Sequence, residues 1–116
     1  MVTLNKKYKL VKSDTVTTWD GRKLFRIEAL ATIAAIGVEK GDLGGYIESE
    51  NNLSVYCDAW VSGNAQVYGN AQVYGNAWVY GFPRVYGDAR VYGDAQVSGN
   101  ARVYGNAWVY GPIICA

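Results

Sequence analysis

The sequence predicts an all-β chain wound as a parallel β-helix behind a small β-rich cap. Three observations carry this. Valine recurs every six residues, at Val55, Val61, Val67, Val73, Val79, Val85, Val91, Val97, Val103 and Val109. From Val61 onward a small residue stands two places earlier: Ala59, Ala65, Ala71, Ala77, then Pro83, then Ala89, Ala95, Ala101 and Ala107. Most units are separated by a Gly-Asn or Gly-Asp step. A fixed short period decides the architecture before any other feature is read.

Each unit has a simple physical reading. Along Ala-Gln-Val-Tyr the side chains alternate, so Ala and Val face inward while Gln and Tyr face outward. Gly and Asn tolerate positive φ and turn the chain cheaply. Six residues therefore make one short strand and one corner. Three units close a triangle, which sets the coil at eighteen residues and gives about three coils. The outward position after valine supports this. It is Tyr in most units and Ser at Ser62 and Ser98, which stand two coils apart and so share a face. Trp60 and Trp78, one coil apart, share that face too.

Folded at this period, the array has three faces. The first carries Trp60, Trp78, Gln96 and Ile114 beside Ser62, Tyr80 and Ser98. The second carries Gln66, Arg84 and Arg102 beside Tyr68, Tyr86 and Tyr104. The third carries Ser54, Gln72, Arg90 and Trp108 beside Tyr56, Tyr74, Tyr92 and Tyr110. Leu53 falls in the alanine slot before Val55. One unit departs from the rule, Gly81-Phe82-Pro83-Arg84. Proline lacks the N–H that a ladder needs, so a bulge is expected at Pro83. The departure reads either as drift in a redundant array or as a site.

Residues 1–50 lie outside the period. Tyr8 to Val11 reads as a strand. Asp20-Gly21 between Thr15–Trp19 and the run from Arg22 is a hairpin signal. Residues 29–36 fit either a strand or a helical turn. A solenoid end exposes apolar core and unpaired strand edges and needs covering. Residues 1–50 are therefore read as a β cap packed on the end of a β-helix spanning 51–116, one compact domain overall.

The repeat resembles the hexapeptide repeat of left-handed parallel β-helices, and left-handedness is what that resemblance implies. The leader resembles that of phage and prophage proteins with hexapeptide arrays. The residues that carry this are Leu24-Phe25-Arg26-Ile27-Glu28-Ala29-Leu30, then Lys40-Gly41-Asp42-Leu43-Gly44-Gly45-Tyr46-Ile47-Glu48, then Asn52-Leu53-Ser54. The enterobacterial YdcK family has a similar leader. The resemblance implies a phage or bacterial origin and carries over no catalytic residue.

The chain has no histidine. Hexapeptide acyltransferases use a histidine base and related carbonic anhydrases hold zinc through histidines, so neither chemistry is available. Asp58, Asp88 and Asp94 take corner positions, where carboxylates bond their own turn. Cys57 and Cys115 fall about three coils apart and are expected to be free thiols. No catalytic residue, metal or cofactor is expected. A net charge of +1 gives no pull toward nucleic acid or anionic membranes. No long apolar run or signal peptide is seen, and the chain is read as cytoplasmic.

What remains is surface, and contiguous aromatic surface of this extent marks an interface. The expected function is a non-catalytic binding protein. Its partner would be a host protein or a small anionic ligand such as a nucleotide, and in a phage setting the expected role is to counter host defence. The expected contact residues are Arg84, Arg102, Tyr86, Tyr104 and Phe82 around the second face, with Trp60, Trp78 and Tyr80 on the first. The alternative is a structural scaffold. Self-association is expected, as a trimer through the aromatic faces or as an end-to-end dimer through Ile113, Ile114, Trp108 and Tyr110.

Overall fold

The computed structural model describes residues 7–110. A strand begins every six residues through the repeats. These strands are β4 (Trp60–Val61), β5 (Gln66–Val67), β6 (Gln72–Val73), β7 (Trp78–Val79), β8 (Arg84–Val85), β9 (Arg90–Tyr92), β10 (Gln96–Val97), β11 (Arg102–Val103) and β12 (Trp108–Tyr110). They form three parallel stacks, β4-β7-β10, β5-β8-β11 and β6-β9-β12, with partners eighteen residues apart, such as Trp60 with Trp78 and Gln66 with Arg84. The inward valines from Val61 to Val91 are fully buried, and the alanines from Ala59 to Ala89 pack with them. The fold is the expected all-β parallel solenoid, and no α-helix occurs among the described residues.

The first coil differs from its expected register. Strand β3 (Leu43–Ile47) pairs parallel with β5, Ile47 opposite Val67, and Leu53 bridges Val73. Both partners stand twenty residues apart. Ile47 and Leu53, each fully buried, thus fill the inward slots that valine fills later. Leu53 is not in an alanine slot, and Val55 is not the first inward valine. Two additional residues between Leu53 and Val61 push the chain outward, leaving Val55 half-buried and Tyr56 exposed. The solenoid therefore has about four turns rather than three, and the stretch read as cap already contains a solenoid strand.

Cys57 lies in this outward excursion, with φ of 55°, and it is disulfide-bonded rather than a free thiol. Coil spacing alone gave the expectation of a free thiol. That spacing does not govern a residue standing out of register. Cys115 lies outside the described residues.

Two small features dock the first coil. Gly45 takes the alanine slot before Ile47, but an added Cβ would meet the Ala65 carbonyl oxygen and a Val61 methyl at 2.7 Å. We expect Gly45→Ala to cost roughly 1–3 kcal/mol, the range for overpacking a close contact; a urea midpoint unchanged from wild type would contradict this placement. Asn52, fully buried, accepts from the Glu48 and Ser49 amides at 3.1 and 3.0 Å. Its Nδ2 donates to the Gly69 and Ala71 carbonyls at 3.2 and 2.8 Å.

Strands β1 (Tyr8–Thr17) and β2 (Lys23–Ala29) form the expected antiparallel hairpin, turning at Asp20-Gly21. The register shifts between Val11 and Thr15, so Lys12-Ser13-Asp14 bulge outward. Strand β2 pairs antiparallel with β3, extending the second face into a six-stranded sheet. The ambiguous stretch after β2 resolves into a 3-10 turn at Ala34–Ile36, closed by a bridge between Ile33 and Val38.

Tyr8, Ile27, Ala29, Ile33 and Val38 close the core over Trp60 and Val61. The Tyr8 ring stands edge-on to Trp60 at 6.4 Å, and its hydroxyl donates to the Leu53 carbonyl at 2.5 Å. Lys7 donates from Nζ to the Ser54 carbonyl at 3.0 Å and to the Tyr56 carbonyl at 3.4 Å.

Burial pushes the Lys7 ammonium down from 10.5 to about 8, with Asp58 opposing the shift. Below about 8 both folded and unfolded chains hold this proton. Between about 8 and 10.5 the folded chain releases it while the unfolded chain keeps it, so this group makes stability rise with pH in that window. Lys7→Met should lack the rise. Urea melts of both proteins on either side of pH 8 check it, and parallel pH curves would refute it.

Pro83 produces no bulge. Arg84 pairs in register with both Gln66 and Arg102, and Gln66 donates to the Pro83 carbonyl at 3.0 Å. The reason lies in the corner. At Ala65, Ala71, Ala77, Ala95, Ala101 and Ala107 the N–H donates to the carbonyl three residues back, within its own turn. Proline at this slot removes a turn bond and leaves the ladder whole.

Candidate functional site: an arginine–tyrosine face

The second face places one residue per strand in a continuous row. Arg26 of β2 stands opposite Tyr46 of β3, followed by Gln66, Arg84 and Arg102. At the cap end the row is neutralised. Arg26 donates from Nε to Asp14 at 2.7 Å and from Nη1 to the Gly44 carbonyl at 2.8 Å, and its guanidinium lies 4.4 Å over the Tyr46 ring.

At the other end the row is open. Arg84 and Arg102 are neighbours on adjacent parallel strands and both are exposed. Among the described residues neither makes an ion pair, and neither guanidinium lies over an aromatic ring. Like charges so placed repel by a few tenths of a kcal/mol, on the order of the weaker cross-strand pairs. An added anion relieves that repulsion.

Beside the arginines runs a tyrosine stack. Tyr68 and Tyr86 are parallel with centroids 5.2 Å apart, and Tyr86 and Tyr104 follow at 5.6 Å. Tyr68 is buried against Leu24 and Tyr46, which anchors the stack on the cap. Burial, and then the neighbouring Tyr86, push the Tyr68 phenol upward. It stays a protonated donor at neutral pH. Tyr104, at the far end, is 59% exposed.

The other expected contact residues divide. Phe82 projects 63% exposed at the corner leading into Arg84. Trp60 is not available. It faces outward as the period requires, but the cap covers it and only 1% remains exposed. Trp78 is half-buried, donating from Nε1 to Ser62 Oγ at 3.1 Å with its ring 4.3 Å from Tyr80. This pair lies on a different face from the arginines. Trp108 and Tyr110 are exposed at 58% and 66%, and the Arg90 guanidinium sits 5.5 Å over the Trp108 ring. Ile113 and Ile114 lie outside the described residues.

No group of three or more potential metal ligands occurs among the described residues. No helix there is long and apolar enough to cross a membrane.

Eighteen-residue coils, three parallel stacks and a capped end define a parallel β-solenoid. The family described as YdcK Beta solenoid repeat matches residues 65–81, 84–97 and 95–111, so the array is YdcK-like. The matched segments begin in the second coil and step over Phe82 and Pro83. No curated protein and no solved structure matches the chain.

Proposed function

We propose that the protein is a non-catalytic binding protein that engages an anionic partner through Arg84 and Arg102. The observation that carries this is the pair itself: two exposed guanidinium groups in register, with no carboxylate partner among the described residues. Paired guanidiniums suit a carboxylate or phosphate, which they hold in bidentate fashion. Tyr86 and Tyr104 supply flat, rigid contact area alongside, and Tyr and Arg are favoured hot-spot residues. The absence of histidine supports a binding role over acyl-transfer chemistry. The phage-like leader supports a partner in an infected cell, where such binding would interfere with host defence.

The test is a charge swap, Arg84→Glu with Arg102→Glu, titrated with inorganic pyrophosphate and a nucleoside triphosphate. The wild-type protein should bind and show shifts at the Nε resonances of both arginines. The folded double variant should not bind. Binding that survives the swap, or no shift at either arginine, overturns the reading.

Exposure of Trp108, Tyr110 and Tyr104 favours a second reading, homo-oligomerisation through aromatic faces. Light scattering at high micromolar concentration decides it; a monomer there excludes it.

A further inference from the structure

A groove of about 810 Å³ opens where the cap meets the corner between the second and third faces. That volume falls within the range of small-molecule sites. The hairpin tip, the corner of the first coil and the corners of the next two coils build it. Its frame is fixed. Arg22 binds Asp20 at 3.2 Å and Glu48 at 3.0 Å, and Glu48 also accepts from the Gly69 amide at 2.9 Å. The hairpin tip is thereby tied to the second coil before any ligand arrives.

Charge selects the class of ligand. Asp20, Glu48 and Asp88 line the groove together with Arg22 and Arg90. Arg22 is already shared between two of these carboxylates. An entering phosphate would meet three carboxylates, and an entering cation would meet two guanidiniums. An uncharged ligand avoids both penalties.

The remaining lining groups are built for hydroxyls. Asn51 and Gln72 each offer one acceptor and two donors, and neither side chain makes a hydrogen bond among the described residues. Asn70 donates to Asp88 Oδ1 at 3.1 Å, which leaves the second carboxylate oxygen of Asp88 as an acceptor. A hydroxyl both donates and accepts, so vicinal hydroxyls match such groups pair for pair.

A second hollow of about 510 Å³ shares Asn51, Gln72 and Arg90 with the first. The two hollows therefore join through these three polar residues, and the second adds Leu53, Val55 and Val73 before it reaches Tyr74. Corner residues also recur at every coil, a step of roughly 4.8 Å. A wall with a repeat suits a ligand with one.

We propose that this trough binds an uncharged oligosaccharide, with Asn51, Gln72 and Asp88 taking its hydroxyls and Tyr86 and Tyr74 bordering it. The trough adjoins the anion-binding face at Tyr86, and neither Arg84 nor Arg102 lines it.

The experiment is calorimetric titration of the whole protein with neutral cello-, chito- and malto-oligosaccharides. A sulfated oligosaccharide and a zwitterionic dipeptide serve as comparisons. At least one neutral series should bind, more tightly as the chain lengthens, with affinity unchanged from low to high salt. Gln72→Ala with Asp88→Asn should weaken it about tenfold or more, equivalent to losing one or two hydrogen bonds. Arg84→Glu with Arg102→Glu should leave it unchanged. The proposal fails if no neutral series binds at millimolar concentration, or if only the sulfated or zwitterionic ligand binds. It fails equally if binding survives the double change in a protein with wild-type melting.

Discussion

Val73→Asp should unfold the solenoid at ordinary temperature. Val73 is fully buried, with Leu53 opposite it on one side and Val91 on the other. A carboxylate there finds an apolar interior and no donor. Burying an unpaired charge costs several kcal/mol even after the group takes up a proton. Total stability is of order 5–15 kcal/mol for a domain of this kind. Each coil is held only by its neighbours, so damage at one level separates the coils on either side.

Val55→Asp is the informative comparison. The six-residue period makes Val55 and Val73 equivalent, one coil apart. The structure does not, because Val55 stands half-buried outside the inward slot and close to Lys7 at the Ser54 and Tyr56 carbonyls. Its substitution should cost about 1 kcal/mol, the centre of the distribution for single changes. Circular-dichroism melts of both variants measure the difference. Equal losses would show that Val55, rather than Leu53, is the inward residue.

The second large effect is at Asn52. Asn52→Ala removes two acceptor contacts to the Glu48 and Ser49 amides and two donors to the Gly69 and Ala71 carbonyls. The Glu48 amide keeps its bond to the Val67 carbonyl, but the Ser49 amide and the Gly69 and Ala71 carbonyls lose the Asn52 side chain. At about 1–3 kcal/mol for each backbone group left unpaired, partial relaxation brings the sum to roughly 3–5 kcal/mol. Asn52→Asp keeps the shape and the acceptors. It replaces the donors with an oxygen facing two carbonyls, so it should be no milder. Hydrogen exchange locates the damage: protection should fall first at the Gly69 and Ala71 corner and in β3. Protection unchanged there, with a wild-type melt, would refute the role of Asn52.

The regular coils were legible because one rule repeats. Val61 through Val109, the alanine slots, the corners and the arginine register all follow from period and alternation. The Asp20-Gly21 turn was legible for a different reason, as a local signal with its own chemistry. The first coil was not legible. Gly45, Ile47 and Leu53 perform the work of Ala, Val and Val, but their phase is offset by two from the array. The partners of β3 and of Leu53 reveal that offset. Asn52 carries no local signal of its role, which depends on the carbonyls of a coil that comes later in the sequence. Trp60 followed its alternation correctly and was still hidden, because the cap lies over it. Pro83 leaves the ladder whole because the slot's N–H serves a turn, which periodicity alone does not show. The groove joins the hairpin tip to three separate corners, and no local pattern connects them.

The eighteen-residue pitch of β5, β8 and β11 makes length changes in this array come in discrete sizes. Removing or adding eighteen residues shortens or lengthens the column and leaves every face as it was. Removing six advances everything downstream by a third of a turn. Arg102 would then leave the row of Gln66 and Arg84, although its own sequence neighbours had not changed. Genetic drift in repeat number can thus preserve a ligand surface or dismantle it, depending only on whether the change is a whole turn. The arginine row is in this sense a combination lock, set by counting residues rather than by their identity.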